Sequence, residues 1–365
     1  MTSADPPVRP APHASPAPHA SRAGLASPAG LVSPAAPPEP ITWPDGVTAA
    51  ACLTFDMDAE AAMLTADISS VHRMSPMSHQ AYGPLVGVPR ILSLLARHGL
   101  RATFFIPGYS AHRYPEVVRG IAGAGHEIAH HSYFHEDTIG MDAKTEGDML
   151  DLGLRALWDV AGVRPEGYRA PMWELNYHTP GLLAERGFRY DSSLMDSDHP
   201  YLLAVGSAHN AATAPGAAGP ARGAPGPAAT PGPATLVEVP VSWGLDDWEQ
   251  YAYLPGLTGS GLIESPAKAL EMWTLELEAM HRIGAAFVLT CHPFLSGRPS
   301  RAHALELLIE RMKGLPGLWI TTVADVARHT ASLNLPARHC PPPVIPPDAY
   351  WVARPPGRGA PIGEP

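Results

Sequence analysis

Basic residues are scarce in this sequence, and it has no long apolar run. Its 365 residues include 25 Lys and Arg against 35 Asp and Glu, which gives a formal net charge of -10. Phosphate recognition needs clustered basic side chains, so this balance argues against nucleic acid as a partner. A membrane-spanning helix needs about 18 consecutive apolar residues, and no stretch reaches that length. We therefore expect neither a nucleic acid nor a membrane partner.

Cysteine is also rare, and the N-terminal region lacks the features of a leader. Cys52, Cys291 and Cys340 are the three cysteines, and none belongs to a Cys-x-x-Cys pair. The sequence therefore predicts neither a disulfide framework nor a thiolate zinc site, and a reducing compartment fits. Prolines and serines interrupt each short apolar run near the N-terminus, which argues against a secretory signal. We expect a cytoplasmic protein.

Proline, by contrast, is abundant and unevenly distributed. Most of the 43 prolines lie in residues 1–40, 206–234 and 336–365, together with 11 of the 34 glycines. These stretches contain too few bulky apolar residues to offset the entropy of ordering them. We expect disordered Pro/Ala-rich tails at both ends and a low-complexity insertion between them. One catalytic domain would then span residues 41–335.

Within that domain, short β-like runs alternate with segments of helical periodicity. The first strand covers 49–55 and ends at Asp56, and a helix over 88–98 closes at Gly99. About eight strands and a similar number of helices follow this pattern, which predicts an α/β fold. We expect a distorted or incomplete (β/α) barrel of about seven to eight strands. Reacting groups in such barrels gather at the carboxyl ends of the strands.

Two acidic residues follow the first predicted strand. Asp56 and Asp58 are two positions apart, so on an extended backbone their side chains point the same way. They can therefore reach one site. Acidic pairs at strand ends also occur for structural reasons, and this pair alone does not decide between the two interpretations.

Two histidines after a later strand have the spacing of metal ligands. His131 and His135 are four residues apart and would share one face of a helical backbone. We interpret the neighbouring His126 and His130 as structural. With Asp58, the two histidines would supply two nitrogens and one oxygen to a divalent metal. Zinc is the expected ion, with cobalt or nickel as alternatives.

Two further polar motifs follow later strands. Arg169 precedes Pro171 and Trp173, and a guanidinium there could hold a carboxylate base ionised. Trp173 would either wall a substrate cleft or pack in the core. His292 follows an apolar strand and is placed like a general acid. A buried structural histidine is the alternative.

Together these residues predict amide hydrolysis. A bound divalent ion lowers the pKa of its water toward about 7. Asp56 would collect a proton, and His292 would protonate the departing nitrogen. The same set of two histidines and one carboxylate also binds iron in oxygenases, but oxygen chemistry would not use Asp56 and His292 as an acid/base pair. A non-catalytic sugar-binding barrel is the alternative of another class.

The motifs resemble those of the polysaccharide deacetylases with a NodB-type catalytic domain. In chain order, the resembling segments are 54–58, 131–135, 169–171 and 289–293, and the match covers about 41–335. The resemblance implies that Asp56 is the catalytic base and that Arg169 is its partner. It implies that Asp58, His131 and His135 are the metal ligands and that His292 is the catalytic acid.

Two details of the resemblance are left open. The acidic residue that tunes His292 is either Asp247 or Asp191, and Pro171, Trp173 and Trp248 are the expected substrate contacts. Most members have adjacent aspartates, whereas Met57 intervenes here. This spacing resembles the subgroup of intracellular peptidoglycan deacetylase-like proteins, allantoinase and cyclic imide hydrolases. The substrate is therefore an N-acyl sugar or a small cyclic amide, imide or allantoin-type ring, and a homo-oligomer also stays open.

Overall fold

The computed structural model describes residues 40–205, 235–253 and 263–342. The predicted insertion at 206–234 and the predicted tails, apart from 40 and 336–342, lie outside these residues. Arg338, which we had assigned to the C-terminal tail, contacts the fold. Its backbone N–H donates to Leu202 O at 2.7 Å, and its carbonyl accepts from Ala204 N at 2.8 Å. Residue 338 of the predicted tail is thus hydrogen-bonded to residues 202 and 204, and the domain bounds 41–335 stay a prediction.

The described residues form one mixed sheet and the helices that cover it. The strands are β1 (Ala49–Asp56), β2 (Thr103–Ile106), β3 (Glu127–His130), β4 (Gly167–Tyr168), β5 (Tyr190–Asp191), β6 (Tyr201–Ala204), β7 (Thr235–Glu238), β8 (Ala286–Cys291) and β9 (Leu318–Thr321). Eight of them follow the order β6-β7-β5-β4-β3-β2-β1-β8, and β9 pairs with β1. The strand pairs are parallel except β6 with β7. This curled, open sheet is the incomplete (β/α) barrel that the sequence predicts.

Twelve α-helices accompany the sheet in the described ranges. They are α1 (Ala61–Ala66), α2 (Met74–Tyr82), α3 (Val88–His98), α4 (Gly108–Arg113), α5 (Pro115–Gly123), α6 (Ala143–Ala161), α7 (Thr179–Glu185), α8 (Asp247–Tyr251), α9 (Pro266–Ile283), α10 (Pro293–Ser296), α11 (Pro299–Lys313) and α12 (Val323–Ser332). None of these helices is both long enough and apolar enough to cross a bilayer.

Strand β1 is the centre of the fold. All eight of its residues are buried, and it pairs with β2, β8 and β9. Its side chains alternate between the two faces of the sheet, as strand geometry requires. Leu53, Phe55 and Met57 pack in the cluster under α3, α9 and α11, whereas Cys52 packs in the cluster on the opposite face. Asp56 is an even number of residues from Cys52, so its side chain lies on the same face as Cys52 and away from the cluster that contains Met57.

Local sequence signals account for several element ends. Gly99 ends α3 with φ at 65°, a left-handed conformation that glycine adopts without steric cost. The Asp142 side chain accepts a hydrogen bond from Thr145 N and caps α6. The sequence did not predict β6 or the single-turn helices α8 and α10. These elements are too short for hydrophobic periodicity to reveal them.

Candidate active site

A cavity of about 180 Å³ opens where β1, β3 and β8 end. Parallel strands present their carboxyl ends at one edge, and here that edge collects polar side chains from distant parts of the chain. The lining residues are Asp56, Asp58, His131, His135, Met172, Trp173, Trp243, Asp246, Trp248, Glu249 and His292. The structure thus brings most of the predicted site residues together.

Asp58, His131 and His135 form a group that could hold a metal ion. His131 Nε2 lies 3.5 Å from Asp58 Oδ1, and His135 Nε2 lies 3.6 Å from Asp58 Oδ2. One ligand atom from each residue lies within 4.8 Å of the others. Both Asp58 oxygens are buried without a hydrogen-bond partner. An unpaired buried carboxylate is costly, and a cation would supply the missing charge, so the group fits a metal site.

The hydrogen bonding of His131 leaves the correct nitrogen free for a metal. Its Nδ1 lies 2.7 Å from the carbonyl oxygen of Arg169. Because a carbonyl only accepts, Nδ1 carries the proton and Nε2 keeps its lone pair. Burial lowers the pKa of His131 to about 3, which also favours the neutral ring. The lone pair of Nε2 therefore faces Asp58.

The two histidines converge through a turn, and our prediction of a helical backbone was wrong. Ser132 and His135 have φ values of 60° and 56°. Glu136 stabilises the turn: its carboxylate accepts from Ser132 Oγ, from Tyr133 N at 3.2 Å and from Phe134 N at 2.8 Å. A four-residue spacing can therefore bring two imidazoles together without a helix. Glu136 had not been identified from the sequence.

Asp56 is held by a buried arginine. Arg169 Nη1 donates to Asp56 Oδ1 at 2.8 Å, while Asp56 Oδ2 lies 4.0 Å from His131 Nε2. Both residues are almost fully buried, with Arg169 at 0% exposure. Among the described residues none donates a hydrogen bond to Oδ2. That oxygen is therefore available on the side of the metal-ligand group.

The guanidinium of Arg169 is itself positioned by surrounding groups. It donates to Thr54 Oγ1 at 2.9 Å, to Ser192 O at 3.1 Å and to Ser192 Oγ at 3.2 Å. Its carbon lies 4.0 Å from the centre of the Phe105 ring. These contacts fix its plane and direct one edge toward Asp56. Thr54 belongs to a predicted motif, but nothing in the sequence indicated the role of Ser192.

His292 is paired with Asp247 and not with Asp191. His292 Nδ1 lies 2.8 Å from Asp247 Oδ1, and its Nε2 lies 3.6 Å from Asp58 Oδ2. Since a carboxylate accepts, Nδ1 carries a proton and Nε2 faces the cavity. Asp191 instead accepts from Ser193 Oγ at 2.9 Å, next to Glu238 on β7. Asp191, one of the two expected partners of His292, therefore does not contact it.

The Asp247 carboxylate has a full set of hydrogen bonds. Oδ1 accepts from His292 N at 2.8 Å as well as from the ring, and Oδ2 accepts from Ser296 N at 3.1 Å and from Ser296 Oγ. The last two donors come from the turn of α10, which begins directly after His292. Both ends of the carboxylate are thus fixed. Nothing in the sequence pattern indicated that Ser296 would hold this carboxylate.

Acidic neighbours control the charge of His292. Burial by itself would lower the pKa of His292, but Asp246, Asp247 and Asp58 together raise it to about 10. Asp246 lines the cavity, and burial raises the pKa of its carboxyl to about 7. His292, Asp246 and Asp247 form a second group that could geometrically hold a metal ion. In that group, however, the facing His292 nitrogen is protonated, whereas His131 presents a lone pair.

Three tryptophans wall the cavity. Trp173 and Trp243 stack with ring centroids 4.5 Å apart, and Trp248 lies edge-on to His292 at 5.2 Å. Trp173 and Trp248 were both expected as substrate contacts, and both line the cavity. Pro171 was expected there too, but it is buried in a 3-10 turn and the cavity is lined by Met172 instead. Pro171 therefore does not line the cavity, and its contact with a substrate stays a prediction.

Strained backbone is concentrated around this cavity. Outside glycine, positive φ occurs in the described residues at Ala59, Ser132, His135, Met172, Trp173 and Asn334. Five of these six follow a site residue directly or line the cavity themselves. Such conformations cost energy and persist where the surroundings impose them, which is common at functional sites.

The geometry and the sequence define a class of protein. The family model for polysaccharide deacetylase matches residues 81–190, a range that includes His131, His135 and Arg169. A peptidoglycan deacetylase from Helicobacter pylori is 35% identical over 240 residues, which is 65% of this chain and 81% of the relative. This protein belongs to the polysaccharide deacetylase family, as the resemblance of its motifs predicted.

Solved structures agree with this assignment. A crystal structure of a Mycobacterium smegmatis protein assigned as a polysaccharide deacetylase has 52% sequence identity and a TM-score of 0.77, and the match covers 85% of this chain and 99% of that one. The Puue allantoinase structure shares the fold at 23% identity and a TM-score of 0.65, with 85% and 99% covered. The family is one of metal-dependent deacetylases, and this chain has an Asp/His group that could bind the metal.

Proposed function

We propose that this protein is a metal-dependent hydrolase that removes acyl groups from N-acylated sugars by cleaving a non-peptide C–N bond. The observation that carries the proposal is the unpaired Asp58 carboxylate, which faces His131 and His135 at 3.5 and 3.6 Å. Asp56, the proposed proton acceptor, and His292, the proposed proton donor, line the same cavity. The Helicobacter pylori relative is named a peptidoglycan deacetylase, and N-acetylated sugars of that kind are the proposed substrate class.

Asp58, His131 and His135 would hold the metal, with zinc as the expected ion. Two imidazoles and one carboxylate are a common donor set of catalytic zinc, and cobalt or nickel accept the same donors. When bound, such an ion lowers the pKa of a coordinated water and polarises a carbonyl oxygen. The Arg169 carbonyl keeps His131 in the tautomer that this role needs.

Asp56 would act as the base. Arg169 donates to Oδ1 and places a positive charge beside this buried carboxylate. Oδ2 stays free to accept a proton from the attacking water. A base whose second oxygen is fixed by a guanidinium does not rotate away, so the proton is received at one defined atom.

His292 would act as the acid. Asp247 fixes the imidazole through Nδ1 and leaves Nε2 in the cavity, 3.6 Å from Asp58. The ring can therefore deliver a proton at Nε2 to the departing nitrogen. Trp248 covers one side of the ring and limits its contact with water.

A small ring amide is the second candidate substrate. The cavity volume of about 180 Å³ and the three tryptophans that wall it favour a compact, flat group. A cyclic imide or an allantoin-type ring would place one C–N bond near the proposed acid and base. The chemistry required of Asp56 and His292 would be the same.

A substrate panel tests the proposal. The purified protein, loaded with zinc, should release acetate from N-acetylated sugars, chitooligomers or peptidoglycan fragments, or should open allantoin or succinimide. The first outcome supports the deacetylase proposal, and the second replaces its substrate with a ring. Sugar binding without turnover of any compound would instead support the non-catalytic barrel and refute both.

A further inference from the structure

A second and larger cavity lies next to the start of α11. Its volume is about 540 Å³, and Arg298, Arg301, His79 and Tyr251 form its polar part. We call these four residues and the space between them the cationic cavity. None of the four lines the candidate active site, although α8 contributes Trp248 to the active site and Tyr251 to the cationic cavity. We propose that the cationic cavity binds the carboxylate of a small organic acid.

Neither arginine forms an ion pair with an acidic side chain within the described residues, although the Asp247 carboxylate lies near enough to act on Arg301 electrostatically. Arg298 donates to Phe294 O at 3.3 Å and to His79 Nδ1 at 3.0 Å, and Arg301 donates to Leu295 O at 3.4 Å. These partners are neutral. Burial and the two arginines lower the pKa of His79, which favours a neutral ring and not a third cation. In a chain with a net charge of -10, such a pocket is unusual and favours an anionic ligand.

Aromatic rings orient both guanidinium groups. The Arg298 carbon lies 3.6 Å from the centre of the Tyr82 ring, and the Arg301 carbon lies 4.4 Å from the centre of the Tyr251 ring. A stacked guanidinium keeps its N–H groups in the plane at its edge. That edge matches the two oxygens of a carboxylate.

The hydroxyl of Tyr251 is an independent indication of a missing ligand. Tyr251 is 1% exposed and lines the cavity, and its hydroxyl oxygen is buried with no hydrogen-bond partner. A buried hydroxyl without a partner is costly. It could donate to a carboxylate oxygen held by Arg301, which already stacks on the same ring.

The start of α11 adds to the preference for an anion. Arg298 is its N-cap residue and makes no capping hydrogen bond with its side chain, and Ser300 in the first turn lines the cavity. The amino end of a helix carries partial positive charge. The helix therefore reinforces the two arginines at this point.

The rest of the lining indicates what kind of anion fits. Met63, Pro76, Tyr253 and Ile263 form apolar walls around the polar end. Inorganic phosphate would leave these walls uncovered, whereas an organic acid with an apolar body would contact them. The carboxylate belongs either to a free small acid or to a substrate that carries one.

Calorimetry with benzoate and benzamide tests the proposal, because the two probes share their shape and differ in charge. Benzoate should bind once per chain, and benzamide at least about tenfold more weakly. Arg301→Gln should weaken benzoate binding about tenfold or more, and Tyr251→Phe by a smaller factor. Arg155→Gln, at an exposed arginine, is the matched control and should change nothing.

Asp58→Asn separates this site from the candidate active site, because a carboxylate probe could also bind a metal there. Benzoate binding that survives Asp58→Asn but is weakened by Arg301→Gln supports the proposal. Binding that disappears in Asp58→Asn, or that is unchanged in both Arg301→Gln and Tyr251→Phe, overturns it. Circular dichroism of each variant shows that the fold is retained, and Tyr251→Phe serves if Arg301→Gln does not fold.

Steady-state kinetics distinguishes the two sources of the carboxylate, and this arm rests on the proposed function. N-acetylmuramic acid and its methyl ester would be compared in the wild type and in Arg301→Gln. A KM that rises about tenfold for the acid alone assigns the carboxylate to the substrate. An unchanged KM for both compounds, with benzoate binding lost, assigns it to a free small acid.

Discussion

Two buried acidic clusters meet in the candidate active site, and they differ in one respect. Around Asp247, each carboxylate oxygen accepts hydrogen bonds, from His292 and from Ser296. Around Asp58, the two histidines are also buried, yet neither carboxylate oxygen accepts a hydrogen bond. Protein groups alone satisfy the hydrogen-bonding capacity of Asp247. The Asp58 oxygens would be satisfied only by a bound ligand, and this difference is the physical argument for a metal.

The largest expected effect comes from the Asp58 cluster. His131→Ala removes one of three metal ligands, so we expect the metal to be lost and turnover to fall below detection. Metal content per chain, measured by plasma mass spectrometry, and acetate release check this. His72→Ala, at an exposed histidine, is the matched control and should keep both. Retained turnover in a metal-free His131→Ala sample would refute the mechanism.

The Asp247 cluster should behave differently. His292→Ala removes the proposed acid but no metal ligand, so we expect turnover to fall by a factor of about 10² to 10⁴ with the metal retained. The same two measurements apply. Loss of the metal from this variant would show that His292 also contributes to metal binding, against the proposed separation of metal ligands and proton donor.

The free energy of unfolding of the metal-free protein should also distinguish the Asp247 cluster from the Asp58 cluster. Asp247→Asn replaces an acceptor oxygen with an amide facing Ser296, and we expect a loss of about 1–3 kcal/mol in the free energy of unfolding. Asp58→Asn removes a buried charge that accepts no hydrogen bond, and we expect no loss or a gain. Urea unfolding of the metal-free variants measures both values. A larger loss for Asp58→Asn would show that its carboxylate is already stabilised by the protein.

A third buried carboxylate group, away from the cavity, should have the smallest effect. Asp191 and Glu238 are adjacent across β5 and β7, and both are fully buried. Burial raises the pKa of Asp191 to about 6, and burial together with the Asp191 carboxylate raises the pKa of Glu238 well above its ordinary value. A raised folded-state pKa means that the folded protein keeps a proton that the unfolded chain has released. Between about pH 4 and 6, the Asp191 carboxyl therefore makes the folded state less stable as the pH rises.

Asp191→Asn should remove that contribution. The stability difference between the wild type and Asp191→Asn should change between about pH 4 and 6. Urea unfolding at a series of pH values measures the difference. A difference that does not vary between about pH 4 and 6 would show that Asp191 keeps its ordinary pKa in the folded protein.

The sequence predicted the fold and the residue types of the site better than their local geometry. Alternation along β1 placed Asp56 and Asp58 on one side, because Met57 packs in the apolar cluster between them. The turn from His131 to His135 was not predictable in this way, since Glu136 stabilises it through contacts that leave no periodic signal.

The choice between Asp191 and Asp247 also required the structure. Both residues lie in acidic or polar segments near strand ends, and spacing along the chain does not show which one reaches His292. The pairing depends on Ser296 and on α10, which form only after the fold brings residues 247 and 292 together. Similarly, the cationic cavity joins residues from α2, α8 and α11 that share no motif.

Anomalous diffraction from crystals grown with zinc tests the central claim most directly. We predict one peak at the zinc edge, within bonding distance of an Asp58 oxygen and of Nε2 of His131 and His135. A peak between Asp246, Asp247 and His292, or no peak at either group, would contradict the account, because the unpaired carboxylate of Asp58 would then have no role in holding a metal.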